Sequence, residues 1–295
     1  MTVPFQQNLD EQSDFQRIFQ MYLLFKEEPE RPAIAAIHEA LMQKCGKVDI
    51  VSADEMLSSF AIEAYNVEYS NGTMPAQTMI ADVTPFEQQT ISEMERSQFW
   101  NLPDGAALLE QCRYKILMSD FMSAGLPIKD RCSLLADWIE VAVKLFPTCA
   151  AVWIPASGKL LLPEEIKENP YEGPSRFLQF GINIRYFNVH GTEDSLMDSL
   201  GLYAIGLTDI QYHFHTLDPN DVSRHAFNVA AYLFESEAEL KDGDTMAGMR
   251  DGEMVPDIFW KCHYEHALVQ PAREVIDICP NEFAAGNREL EEEHS

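Results

Sequence analysis

Between Asp209 and His215, apolar and polar positions alternate with a period of two: Ile210, Tyr212 and Phe214 form one row, and Gln211, His213 and His215 the other. That alternation predicts a strand over "LYAIGLTDIQYHF", its apolar row roofed by a helix and its histidine row facing solvent. The helix is expected at "LDPNDVSRHAFNVAAYLF". There Asp218 is placed to cap and Pro219 suits the first turn, while Val222, Ala226, Val229 and Leu233 recur at helical spacing. His225 lies beside that stripe and reads as a core-edge histidine bonded to a neighbour.

The same two periods parse the rest of the chain. "FQMYLLF" is a strand, and Ile34, Ile37, His38 and Leu41 mark a helix that Gly46 stops. "VDIVS", "AIEAYNVEYS" and "AQTMIADV" read as strands, the last two joined across "NGTMP". Thr84 as cap, Pro85 and Glu87 then predict a second helix running to Trp100. "RYKILMSDFM" restarts the pattern as a strand, followed by a helix with the stripe Leu134, Trp138, Val141 and Leu145, ended by Pro147. "CAAVWIP" is a buried strand, a Gly/Pro/Glu-rich connection runs from Ser157 to Ser175, and "FLQFGINIRYF" is a further strand. "IFWKCHYEHALV" and "AREVIDICP" add one or two more.

Strand, helix, strands, helix thus occurs twice, and the two capped proline starts, Thr84-Pro85-Phe86-Glu87 and Asp218-Pro219-Asn220-Asp221, fall at corresponding places. The expected architecture is α+β, a divergent duplication in two lobes, each a mostly antiparallel sheet covered on one face by two helices. The lobes are expected at 1–105 and 106–295.

Composition narrows the class. With 295 residues, 46% of them hydrophobic, the chain can bury a real core; folded chains near this size hide roughly 75% of their unfolded surface. Six cysteines lie far apart without a C-x-x-C pair, which predicts reduced core thiols. The first twenty residues lack the basic and apolar regions of a signal peptide and no run is long enough to span a bilayer, so a cytoplasmic location is expected. The formal charge of −27, from 48 acids against 21 bases, repels phosphate backbones and anionic bilayers and attracts a basic protein.

Two places merit a test for chemistry. His213 and His215 sit on one row of a strand, about 6.6 Å apart at that geometry, and could chelate an ion if a third ligand joined them. His190, His225, Cys262, His263 and His266 are candidates, but none stands at a spacing that predicts convergence, and "KCHYEH" is not H-E-x-x-H. Asp242, Asp244 and Glu253 occupy the first, third and twelfth places of a calcium loop, yet Met246 and Ala247 violate the fifth and sixth. The Asp-Gly pairs at 242 and 251 therefore read as turns. Phosphate-binding loops, dinucleotide fingerprints and nucleophile elbows are absent from the sequence.

The stretch from Ser195 to Thr245 resembles a bacterial family known as domain of unknown function 4261. Met197-Asp198, Gly201-Leu202, Gly206-Leu207, Asp209-Ile210-Gln211, Phe214 and Asp242-Gly243-Asp244-Thr245 carry the resemblance, which extends upstream to about Ala150 through "AAVWIPASGKLLLPEE". It implies no activity residue by residue; by analogy it implies an interaction or immunity module. The leading expectation is a non-enzymatic binding protein for a basic protein partner, with no catalytic residue, no cofactor and no nucleic-acid or membrane contact. Asp209, His213, His215, Asp242 and Asp244 are the candidate binding residues. The alternative is a metal-dependent hydrolase or small-ligand protein using His213 and His215, with Asp209 nearby.

Overall fold

In the computed structural model, which describes residues 13–54, 56–70, 72–236 and 239–286, the chain divides into two compact units, one of them Phe15–Ile182 and the other running from Asn183 onward. Ser13 belongs with the second unit and donates its N–H to the Ala272 carbonyl at 2.8 Å. The fold class is α+β, with two sheets dominated by antiparallel pairs.

The first unit holds β1 (Gln20–Phe25), α1 (Ile34–Cys45), β2 (Val48–Ala53), β3 (Leu57–Tyr69), β4 (Gly72–Pro85), α2 (Glu93–Arg96) and α3 (Gly105–Gln111). It continues through β5 (Tyr114–Phe121), α4 (Ile128–Leu145), β6 (Ala151–Ile154), β7 (Lys159–Leu161), α5 (Pro163–Lys167) and α6 (Arg176–Gly181). Its strands lie in the order β2-β3-β4-β5-β1-β6-β7, every pair antiparallel. Leu134, Trp138 and Val141 of the expected stripe are buried, and so are Leu135, Ile139 and Val143, so α4 is enclosed on more than one face. Each large apolar side chain fully removed from water contributes about 1.5–3 kcal/mol. The Trp138 indole N–H also finds a partner, the Met79 carbonyl at 3.3 Å. Inside the unit Asp120 is fully buried and accepts from Arg131 Nε at 2.6 Å.

The helix expected from Thr84 does not form. Thr84 and Pro85 are the last residues of β4, opposite Lys115 and Tyr114 of β5. A proline is tolerated at that strand end, and cross-strand pairing outweighs a local cap signal. The capping box occurs later, where Ser92 accepts from Glu95 N–H at 3.2 Å and Glu95 accepts from Ser92 N–H at 2.7 Å. With that start gone, the correspondence that suggested two repeated lobes is not formed. The boundary expected at 105/106 falls inside α3, between β4 and β5, which are neighbours in one sheet; the compact division is at 182/183.

The second unit holds β8 (Asn183–Asn188), β9 (Ser195–Leu200), β10 (Asp209–Phe214), α7 (Pro219–Ser236), β11 (Thr245–Arg250), β12 (Glu253–His266) and β13 (Glu274–Cys279). The order is β11-β12-β13-β10-β9-β8, and β10 and β13 run parallel. Among the described residues α7 is its one α-helix, where two helices per lobe were expected. Ile210, Tyr212 and Phe214 pack with Val222, Ala226, Val229 and Leu233 of α7 and with Trp260, Ile276 and Ile278, which is the roofed apolar row that the alternation predicts.

Candidate binding site

The other row of β10 is not open to solvent. Asp209 and Gln211 are fully buried, as are Asp198 and Asp277 on the flanking strands. The register aligns Arg185, Asp198, Gln211, Asp277 and His263 across five strands as one polar ladder. The segment between β12 and β13 closes over it: Leu268 N–H donates to Gln211 Oε1 at 2.8 Å, and Arg185 Nη1 reaches the Gln270 carbonyl at 2.8 Å.

Two arginines neutralise the two central acids. Arg273 donates from Nε to Asp209 Oδ2 and from Nη2 to Asp198 Oδ2, each at 2.9 Å. Arg185 forks onto Asp198, Nε to Oδ1 at 2.8 Å and Nη2 to Oδ2 at 2.5 Å. The Ser199 hydroxyl and the Leu202 N–H complete the shell of Asp209 at 2.8 and 3.0 Å. Burial pushes the Asp209 carboxyl above its ordinary value, opposed by the Arg273 charge and the Ser199 hydrogen bond. The four-residue cluster of Arg185, Asp198, Asp209 and Arg273 is internally paired, as buried charges require. It ties β8, β9 and β10 to Arg273.

The histidines sit at the far end of the same strand. His213 Nε2 lies 3.8 Å from Asp194 Oδ2, and its carbonyl accepts from Ala285 N–H at 2.9 Å. His215 lies just past β10, with its N–H on the Phe283 carbonyl at 2.9 Å and Nδ1 3.2 Å from Thr216 Oγ1. Among the described residues no group of three or more His, Cys, Asp or Glu side chains could hold a metal ion. The expectation of a solvent-facing histidine row gives way to a row half-closed by the 281–286 segment, because that segment pairs with the strand at Phe214 and Ala284.

Asp242 and Asp244 lie elsewhere, on the exposed turn before β11. Asp242 Oδ1 accepts from Tyr264 N–H at 3.0 Å and stands 3.5 Å from His263 Nδ1; Asp244 Oδ2 accepts from Lys241 N–H at 2.7 Å. Gly243, at φ 87°, makes the left-handed bend between them. The second Asp-Gly pair forms the two-residue loop of the β11–β12 hairpin, Asp251 at φ 51° and Gly252 at φ 79°, between the paired Arg250 and Glu253. The five candidates are therefore not one site: Asp209 is interior, His213 and His215 are at a strand end, and the two aspartates flank β12.

What sequence reasoning missed is the arginine pair and the exposed hairpin. Arg185 in "GINIRYF", Asp198 in "SLMDSL" and Asp277 in "EVIDIC" are single charges inside apolar strand runs, and a charge there must find an opposite partner. That was the available signal.

The ladder lies in one stretch of chain, apart from Arg185. Residues 198–279 match the model of the family described as Domain of unknown function (DUF4261). The match bears out the resemblance drawn above and shifts its bounds: the DUF4261 segment begins at Asp198, within the ladder, and runs through β13 to Cys279. It contains Asp209, Arg273, α7 and the β11–β12 hairpin. No curated protein and no solved structure matches the chain.

Within the DUF4261 segment the hairpin carries the most exposed large apolar side chain among the described residues. Phe259 is 58% exposed on β12, next to the 1% exposed Trp260 that anchors the strand in the core. Glu253 and Asp257 are exposed on the same strand, with Glu239, Asp242, Asp244 and Asp251 also exposed around β11 and β12. From 239 to 261 these six acids face three bases, Lys241, Arg250 and Lys261. Arg250 holds Asp257 at 3.0 Å and, by that hydrogen bond, keeps its carboxyl below the ordinary range.

Proposed function

We propose that this chain is a non-enzymatic binding protein that engages a basic protein through carboxylates, as an immunity or antitoxin-like inhibitor does. The observation that carries the reading is Phe259, a large apolar side chain 58% exposed within an acidic rim on the hairpin of the DUF4261 segment. An exposed aromatic surrounded by charge of one sign is suited to anchor a partner of the opposite sign. The net charge of −27 adds long-range steering toward such a partner and disfavours nucleic acid. A cytoplasmic setting is supported by six free cysteines, five of them buried, and by the lack, among the described residues, of a helix long and apolar enough to cross a membrane.

The test is capture of host proteins by the purified chain at low and high salt, with Phe259→Ala and Asp257→Asn as paired baits. One basic polypeptide should be retained at low salt and lost at high salt. Truncating a hot-spot aromatic costs about 2 kcal/mol or more, so F259A should retain at most a few per cent as much. A retained protein that F259A holds equally well refutes this surface, and capture of nothing basic at either salt refutes the function.

A further inference from the structure

The first unit contains a cavity that neither the sequence nor the proposed function uses. Its volume is about 420 Å³, and Lys44, Lys144, Lys167 and Arg176 line it. Four of the chain's 21 basic residues therefore converge on one cavity in a protein of net charge −27. They come from four elements, α1, α4, α5 and α6, so the convergence is tertiary.

The four cations divide into two pairs. Lys44 and Arg176 are locked by carboxylates of α4: Lys44 Nζ lies 2.7 Å from Glu140 and 3.4 Å from Asp137, while Arg176 bonds to Glu140 and lies 2.8 Å from Asp137. Arg176 Nε also donates to the Gly173 carbonyl at 2.8 Å, which fixes the 168–175 connection as one wall. These two cations and two acids cancel. Lys144 has no ion-pair partner within 4.0 Å among the described residues, and Lys167 has only a 3.8 Å contact to exposed Glu164. The uncompensated charge in the cavity is thus the two ammonium groups of Lys144 and Lys167, set against Glu172 on the rim.

Two flexible ammonium groups free of a close counter-charge match a compact dianion better than a single carboxylate. The remaining lining is polar and aromatic: Asn169, Glu172 and the exposed ring of Tyr171 offer hydrogen-bond partners and a face for a hydroxyl-bearing body. The volume is in the range that encloses a small metabolite. We propose that this cavity binds a phosphate monoester of a small polyol, its phosphate held by Lys144 and Lys167 and its hydroxyls by the Asn169–Glu172 wall.

The experiment is calorimetric titration of the full chain with ribose 5-phosphate, with inorganic phosphate and ribose as charge-only and hydroxyl-only controls. Ribose 5-phosphate should saturate one site, inorganic phosphate should bind more weakly, and ribose should not bind. Lys144 is exposed and the Lys167 side chain is 35% exposed, so Lys144→Gln with Lys167→Gln should leave the unliganded unfolding midpoint unchanged. Losing two charge-assisted contacts should weaken ribose 5-phosphate at least roughly tenfold. Absence of saturable binding by ribose 5-phosphate overturns the proposal, as does equal affinity in the double variant. Inorganic phosphate binding as tightly as the sugar phosphate overturns the polyol part. None of these outcomes depends on the hairpin of the second unit.

Discussion

At the scale of single residues, two aspartates of equal formal charge have opposite worth. Asp209 is fully buried and accepts three hydrogen bonds, one from Arg273. Replacing it with Asn leaves a buried guanidinium short of its counter-charge, which costs about 3–5 kcal/mol. Asp242 is exposed and caps one N–H, so Asp242→Ala should cost about 1 kcal/mol or less. Urea unfolding of D209N and D242A compares them, and equal losses would contradict the closed network. His225 gives a pH prediction. Its Nε2 faces the Ala247 carbonyl at 2.7 Å and so carries the proton, leaving Nδ1 to accept from the Tyr212 hydroxyl at 2.8 Å. Burial pushes the His225 pKa below its usual 6.5, only partly opposed by the Ala247 hydrogen bond. The unfolded chain then binds the proton first as pH falls, so this group's contribution is complete above about pH 6.5 and declines below it. Wild-type stability should drop more steeply from pH 7 to 5.5 than that of His225→Gln, and an equal slope would refute the neutral buried ring.

At the scale of elements, the β11–β12 hairpin shows how local chemistry and packing agree. Asp251-Gly252 supplies two left-handed positions at the turn, and the register then shifts between Ala247 and Met249. Gly248 stands at that irregularity because Trp260 crosses it: a Cβ there would lie 2.5 Å from Ile258 Cγ2 and 2.6 Å from Trp260 Nε1. Gly248→Ala should therefore destabilise the chain by about 1–3 kcal/mol, with a changed emission from Trp260, and a neutral effect would mean that the strand shifts freely. The same element exposes Phe259, so strain at Gly248 should also weaken partner capture. The expected 84–100 helix teaches the converse. Its cap residues were present, but the β4–β5 pairing at Thr84 and Pro85 used the backbone first.

For the whole molecule, the division at 182/183 gives each unit its own core, with Trp138 buried in one and Trp260 in the other. A fragment spanning 15–182 should unfold cooperatively, since its sheet, helices and the Asp120–Arg131 pair are all internal. A broad, non-cooperative transition would show that the unit depends on the rest of the chain. Each unit contains a run of strand, helix and antiparallel strands, β1-α1-β2-β3-β4 and β10-α7-β11-β12-β13, but β5 separates β4 from β1 whereas β13 pairs directly with β10, so the two sheets are not copies of one order. The shared run matches α1 to α7, whereas the sequence pattern had matched α7 to the helix that does not form.

The sequence by itself determined the strand at 209–214, the amphipathic α7 above it, the Asp-Gly turns and the acidic excess, because each is written in side chains a few residues apart; the 202–208 half of the expected strand folds instead as a 3-10 turn at Tyr203–Ile205, closed by Gly206 at φ 91°. It could not say what lay over the polar row of that strand. Asp209 meets Arg273 across 64 positions, and Arg185 meets the Gln270 carbonyl across 85. Alternation separates two faces but does not reveal which distant segment covers each one, so only the tertiary structure decided that the segment between β12 and β13 seals Asp209 while Phe259, two strands away on the same face of the sheet, stays exposed.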